Sequence, residues 1–259
     1  MYKALKYYIM LPLRILWRIW YYVLISIFTI LLSPFLLLTS ISEKWYPAFH
    51  FLARIWSYSI VLGMGFIPRP RRMANGHYPK GFVICANHVS EIDIMLTFIT
   101  FNQPFVFIGK KELSKMPLFG YFYKRTNILV DRQSASSRQK VYKLAKERMS
   151  NGTGICIYPE GGIPKRKVTL APFHMGAFKL AAETDVPIIP VTFLDNKKKL
   201  PFEWGYGCPG FLRYTIHEAV YPDSDDFLDP NDLKDYCYQI IYSELSRHEN
   251  HKGRSRKAS

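Results

Sequence analysis

Cysteine is scarce in this chain. Its four thiols, Cys85, Cys156, Cys208 and Cys237, lie far apart and form no CxxC pair, which argues against a disulfide framework or a zinc ribbon. They read as small apolar packing residues in a reducing, cytoplasmic setting. No Gly-x-Ser-x-Gly occurs, so the nucleophile elbow of a serine lipid hydrolase is excluded. His50, His77, His174, His217, His248 and His251 show no ligand spacing, and no metal is expected. Internal repeats are absent too. Acid is also short, with 20 Asp and Glu against 35 Lys and Arg, a formal charge of +15. With 49% hydrophobic and 16% aromatic residues disorder is excluded. The excess positive charge then points to an anionic partner: nucleic acid, an anionic membrane or a phosphorylated substrate. A length of 259 residues suits one α/β domain plus an appendage.

From Ile19 to Ser42 there is no charge at all. As helix that run is roughly 36 Å long, against about 30 Å of bilayer hydrocarbon. Ser33-Pro34 lies inside it, and proline opposes helix at and before its own position, so two shorter helices are expected. Lys3, Lys6, Arg14 and Arg18 alternate with Tyr7, Tyr8, Trp17, Trp20, Tyr21 and Tyr22 ahead of the run, the mixture suited to the headgroup level. A second apolar stretch, Trp45 to Phe66, is interrupted only by His50 and Arg54. Without a short apolar core and a small-residue cleavage site this is not a signal peptide. Residues 1–70 therefore read as a membrane module, either a monotopic helical pair or a true span.

Beyond Pro68-Arg69-Pro70-Arg71-Arg72 short apolar runs alternate with polar periodic segments. Strands are expected at Phe82–Ala86, Phe105–Ile108, Ile128–Val130, Ile155–Tyr158 and Ile188–Phe193, and helices at Ile92–Ile99, Ser136–Asn151 and Ala171–Glu183. That alternation predicts an α/β fold over residues 71–246 whose chemistry gathers at the carboxyl ends of the strands. The basic stretch 247–259 reads as a disordered tail.

Two strand ends carry reactive groups. His88 and Asp93 follow Phe82–Ala86 in Asn87-His88-Val89-Ser90-Glu91-Ile92-Asp93. Five residues of helix turn about 500°, so the two side chains can meet only across a turn. Histidine accepts a proton near neutral pH, and a carboxylate can fix its tautomer. Asp93 could equally serve as a first-turn acid of the following helix. Tyr158-Pro159-Glu160-Gly161-Gly162-Ile163-Pro164-Lys165-Arg166-Lys167 puts a carboxylate on a glycine turn ahead of three cations, apt for a polyol phosphate or simply a solvated surface turn. Asn127-Ile128-Leu129-Val130-Asp131-Arg132 leaves an acid and a base at a strand tip. Val186-Pro187-Ile188-Ile189-Pro190-Val191 reads as an edge strand with a packing role.

These four blocks, in this order, resemble the bacterial 1-acylglycerol-3-phosphate (lysophosphatidate) acyltransferases of the phospholipid/glycerol acyltransferase family. Asn87, His88 and Asp93 match the family's first motif, Asp131-Arg132 its second, Tyr158-Pro159-Glu160-Gly161 its third and Val186-Pro187-Ile188-Ile189-Pro190 its fourth. Gly109-Lys110-Lys111-Glu112-Leu113 and Phe173-x-x-Gly176-Ala177-Phe178 are similar too. The chain departs from the family where Gly162 and Ile163 replace the usual threonine and arginine. Lys165 and Arg166 are the nearest replacement cations.

The resemblance implies a mixed sheet flanked by helices and acyl transfer from acyl carrier protein or coenzyme A to a lysophospholipid hydroxyl. No cofactor is implied beyond that thioester co-substrate. His88 and Asp93 would be catalytic, with Asn87, Lys111, Arg132, Glu160, Gly161, Lys165 and Arg166 binding substrate. The expected setting is the cytoplasmic face of the inner membrane, with bilayer and lysolipid as partners and no nucleic acid. Another lysolipid acceptor is the alternative. A non-enzymatic basic protein of the membrane surface is the distant rival, and it would leave the ordered motifs without purpose.

Overall fold

Proline within a helix withholds one N–H from the carbonyl four residues back. The Ser33-Pro34 break is nevertheless not observed. The computed structural model describes residues 2–72, 78–115, 119–131, 134–223, 227 and 229–255, and its first helix runs unbroken through both Pro12 and Pro34. The Ser33 hydroxyl donates to the Ile30 carbonyl at 2.8 Å, the acceptor that Pro34 leaves open.

In chain order the elements are α1 (Tyr2–Thr39), α2 (Tyr46–Gly63), β1 (Phe66–Arg72), β2 (Val83–Ala86), α3 (Ile92–Thr100), β3 (Phe105–Lys110), α4 (Phe119–Thr126), β4 (Ile128–Val130), α5 (Ala135–Ser150), β5 (Gly154–Ile157), α6 (Gly176–Thr184), β6 (Ile188–Phe193), α7 (Asn196–Lys199), β7 (Gly210–Ile216) and α8 (Pro230–Ser255). Short 3-10 turns cover Glu43–Trp45 and Lys111–Lys115. Two compact units result.

The first unit takes Met1–Arg69 together with Val89–Asn102 and Asp195–Arg213, so its helices share a unit with two later segments of the chain. α1 and α2 approach closely at Gly63, where an added Cβ would lie 2.9 Å from a Leu24 methyl carbon. The last carbonyls of a helix lack intrahelical partners. Here the Trp17 and Trp20 indoles donate to those of Met64 and Gly63, at 3.2 and 3.0 Å. Arg54 Nε joins α2 to α3 through the Phe98 carbonyl at 3.2 Å. The outer surface is apolar, with Ile9, Leu13, Leu16, Ile30, Leu31 and Phe35 on α1 and Phe51 and Leu62 on α2 all exposed. Apolar exposure on that scale marks an interaction surface. Among the described residues α1 is the one helix long and apolar enough to cross a bilayer.

The second unit takes Pro70–His88, Gln103–Leu194 and Tyr214–Ser259. The sheet has seven strands in the order β1-β7-β6-β2-β5-β3-β4. β2 pairs in parallel with β5 and β6, and β3 with β5 and β4, while β7 runs antiparallel to β6. The sheet is therefore mixed, as expected. β6 is interior rather than an edge, because its proline costs little there. The Pro190 carbonyl accepts from His217 N at 3.0 Å just past the end of β7, so the missing N–H falls at the last rung of that ladder. Every residue of β2 and β6 is buried. Gly154 opens β5 because the Phe82 ring lies where a Cβ would be, 2.5 Å away.

The expected strands and helices recur with shifts of one or two residues, except at α6. That helix begins at Gly176 rather than Ala171 because earlier amides are engaged elsewhere: Ala171 N donates to Glu160 Oε2 at 2.8 Å and His174 N to the Pro159 carbonyl at 2.8 Å. The basic stretch is helical as far as Ser255, contrary to the expected disorder from residue 247, and residues 256–259 lie outside the described set. α8 buries Leu233, Cys237, Ile241 and Leu245, a four-residue repeat along one helical face.

Burial raises the Cys85 and Cys156 thiols well above their usual range and pushes Cys237 up to about 12. Cys208 alone is exposed. A thiol-alkylating reagent at neutral pH is expected to label the native chain once, at Cys208. Peptide mapping that finds label on Cys85 or Cys237 before unfolding would contradict this packing.

Candidate active site

Because β2 sits between β6 and β5, and β3 follows β5, the carboxyl ends of four parallel strands lie side by side. Such an edge gathers functional loops. Asn87, the first residue after β2, is fully buried. Its side chain donates to the Phe193 carbonyl at 3.1 Å and accepts from Phe193 N at 2.7 Å. The amide thus imitates one more strand residue and extends the β2–β6 ladder. That is a scaffold role, distinct from the substrate contact the resemblance implied.

His88 follows, half-buried. Its backbone N–H donates to Glu160 Oε1 at 2.7 Å, and its ring lies on Tyr158, with centroids 4.2 Å apart and planes 12° from parallel. Tyr158 stacks in turn near Phe107, at 5.9 Å. The imidazole face is therefore held by an aromatic column from β3 and the end of β5. Glu160 is buried and each of its oxygens accepts a backbone amide, from His88 and Ala171. It straps the β2 and β5 loops together. Gly161 donates to the Tyr158 carbonyl at 3.1 Å with φ of 75°, a left-handed geometry that favours glycine. Gly162 faces open space.

Asp93, in the first turn of α3, is fully buried. Oδ2 accepts from Val89 N at 2.6 Å and Ser90 N at 2.8 Å, and Oδ1 accepts from Asn196 Nδ2 at 2.7 Å. This carboxylate fixes the two peptide units that follow His88, so a capping role is present alongside any orienting one. Asn196 was not legible as a partner, lying 103 residues away. It is held in place by its neighbour Asp195, which takes a bidentate Arg213 fork at 2.6 and 2.9 Å. Such forks are the strong, directional ion pairs.

The cations divide. Lys111 is exposed at the start of the 3-10 turn after β3, and Lys165 and Arg166 are exposed beyond the Gly161 turn. Arg132 lies outside the described residues, past β4 and three strands from β2. The structure thus gathers Asn87, His88, Glu160 and Gly161 at two adjacent strand ends and puts the three lysine and arginine candidates in flanking loops. Among the described residues no three His, Cys, Asp or Glu side chains are grouped to hold a metal.

A family model described as Acyltransferase matches residues 69–194. A 1-acyl-sn-glycerol-3-phosphate acyltransferase of Haemophilus influenzae is 31% identical over 63% of this chain and 68% of its own length. A chloroplast protein of that name from Brassica napus is 28% identical over 69% of this chain. The chain spans about half the length of such plant and algal relatives, 52% for Brassica and 58% for Chlamydomonas reinhardtii. A crystal structure of a 1-acyl-sn-glycerophosphate acyltransferase from Thermotoga maritima superimposes with a TM-score of 0.76 over 94% of this chain and 98% of that one, at 20% identity. That likeness establishes the fold. With a matched model across β1 to β6 and a relative of 31% identity covered over two thirds of its length, this chain belongs to the acyltransferase family.

Proposed function

We propose that the chain is an O-acyltransferase that moves a fatty acyl group from a thioester to the free hydroxyl of 1-acylglycerol-3-phosphate, forming phosphatidic acid. The observation that carries this reading is the fixed histidine. His88 has its backbone held by Glu160 and its ring laid on Tyr158, at the end of a strand bordered by parallel partners on both sides. His88 takes the hydroxyl proton as the oxygen attacks the thioester carbonyl, and the imidazolium returns that proton to the departing thiolate. Asp93 balances the imidazolium charge, a role assigned from the motif spacing. No acyl-enzyme is needed.

Lys111, Lys165, Arg166 and Arg132 receive the acceptor phosphate, supplying positive charge where a neutral pocket would leave the phosphate desolvated. The exposed apolar faces of α1 and α2 hold the protein at the cytoplasmic face of the inner membrane, where a lysolipid is presented. Coenzyme A and acyl carrier protein both supply a suitable thioester.

The test is to give membranes containing the chain a labelled acyl-CoA or acyl carrier protein and a panel of lysolipids, and to identify products by mass spectrometry. Labelled phosphatidic acid is the expected product. Acylation of phosphate-free acceptors alone would overturn the acceptor assignment, and acylation of none would overturn the activity.

A further inference from the structure

Arginine is almost never fully buried without a partner. Arg18 on α1 is 1% exposed, which calls for a reason. Its Nη1 donates to the Pro201 carbonyl at 2.8 Å and its Nη2 to Glu91 Oε2 at 3.1 Å. The Tyr21 and Tyr22 rings flank the guanidinium, each 5.8 Å from its central carbon. The Tyr22 hydroxyl adds a 3.3 Å bond to the same Glu91 oxygen. Nε has no hydrogen-bond partner. Desolvating a guanidinium while leaving one donor unmet is costly, and the cost falls at one place, the turn between His88 and α3.

Glu91 sits inside that turn. Two other links join the turn to the segment after β6, the Ser90 hydroxyl on the Leu200 carbonyl and Asp93 on Asn196. Arg18 grips the same two segments at Glu91 and Pro201. Of the three links, only this one passes through α1, the helix whose outer face is apolar and exposed. We propose that Arg18 is a positioning residue. Through Glu91 and Pro201 it holds the Val89–Asp93 turn in its working conformation, so that the seating of α1 and the order of the turn are coupled. The effect on catalysis rests on the acyltransferase reading, but the effect on the turn does not.

Arg18→Met keeps bulk and removes the charge. A reacting group displaced by an ångström loses about a hundredfold in rate, so kcat is expected to fall about 10-fold to 100-fold with KM for the lysolipid changed by less than about threefold. Arg18→Lys, able to reach one of the two acceptors, recovers part of kcat. The double variant Arg18→Met with Glu91→Gln is no slower than the slower single variant, because both break one link.

Hydrogen exchange on the same proteins reads the turn without any substrate. The Val89 and Ser90 amides, which donate to Asp93, are expected to exchange about 10-fold faster in Arg18→Met, with the amides of β2 unchanged. Wild-type kcat and wild-type exchange at Val89 and Ser90 would overturn the proposal, as would acceleration spread evenly over the chain or fully additive losses in the double variant. If the wild-type chain acylates no lysolipid, the functional reading falls and exchange alone decides the Arg18 link.

Discussion

His88→Ala is expected to lower acyl transfer by about a hundredfold to ten-thousandfold, the range over which a general base contributes. The loss falls on kcat, since the proton moves only as the hydroxyl attacks. The fold should survive. The His88 backbone N–H that donates to Glu160 is retained by alanine, and the imidazole is half-buried rather than part of the sheet core. What is lost structurally is the stack on Tyr158, worth about 1 kcal/mol. Thermal melting of the variant should therefore stay within several degrees of wild type, and membrane fractionation should be unaltered. Retained transfer in a well-folded His88→Ala protein would remove the histidine from the mechanism.

Asp93 answers a different question, because scaffold and charge can be separated there. Alanine at 93 leaves the N–H groups of Val89 and Ser90 and the Asn196 amide buried with no acceptor. Each unmet donor costs about 1–3 kcal/mol, and relief of the buried charge recovers part, so a net loss of about 3 kcal/mol or more is expected. Asp93→Asn behaves otherwise. Its amide oxygen can still accept from Val89 and Ser90. Its amide nitrogen can meet Asn196 Oδ1, which has no hydrogen-bond partner, once the Asn196 amide turns over. Asp93→Asn should therefore denature close to wild type in urea yet lose activity, because the charge that supports an imidazolium is gone. If the two variants were equally unstable, the hydrogen-bond assignment at Asn196 would be wrong. If Asp93→Asn kept full activity, Asp93 would be a cap only.

Much of the centre of this fold is written locally. Strands β2, β4 and β6 are short and apolar, and both neighbours of β2 are parallel, so continuous burial leaves a continuous apolar signal. β1 escaped because Phe66–Arg72 holds two prolines and three arginines, and proline in a strand is read as a breaker unless the strand is known to lie at an edge. β1 does close the sheet at one end. α8 did carry a signal, the Leu233, Cys237, Ile241, Leu245 period behind Asp229, whose side chain accepts from the amides of Asn231 and Asp232. The motif residues His88, Asp93 and Glu160 were visible because each sits beside a strand end or turn of recognisable type. Their partners were not. Glu160 meets the His88 amide across 72 residues and Asn196 meets Asp93 across 103, and no local pattern encodes a pairing that only the sheet order creates. The role of Ser33 was hidden for the opposite reason: proline rules describe the bond lost, and the replacement donor was its own neighbour.

The Asn87 clasp on Phe193 has a consequence in time. It spans 106 residues, and β6 must pair with β2 before it can close. During synthesis, at about 5–20 residues per second, Phe193 emerges roughly 5–20 s after Asn87. The apolar helices are out still earlier. For that interval the chain carries a histidine with no clasped strand beneath it, while α1 and α2 are already free to find a bilayer. Reactivity at this site therefore arrives late, after the helices have had time to choose where the protein will be.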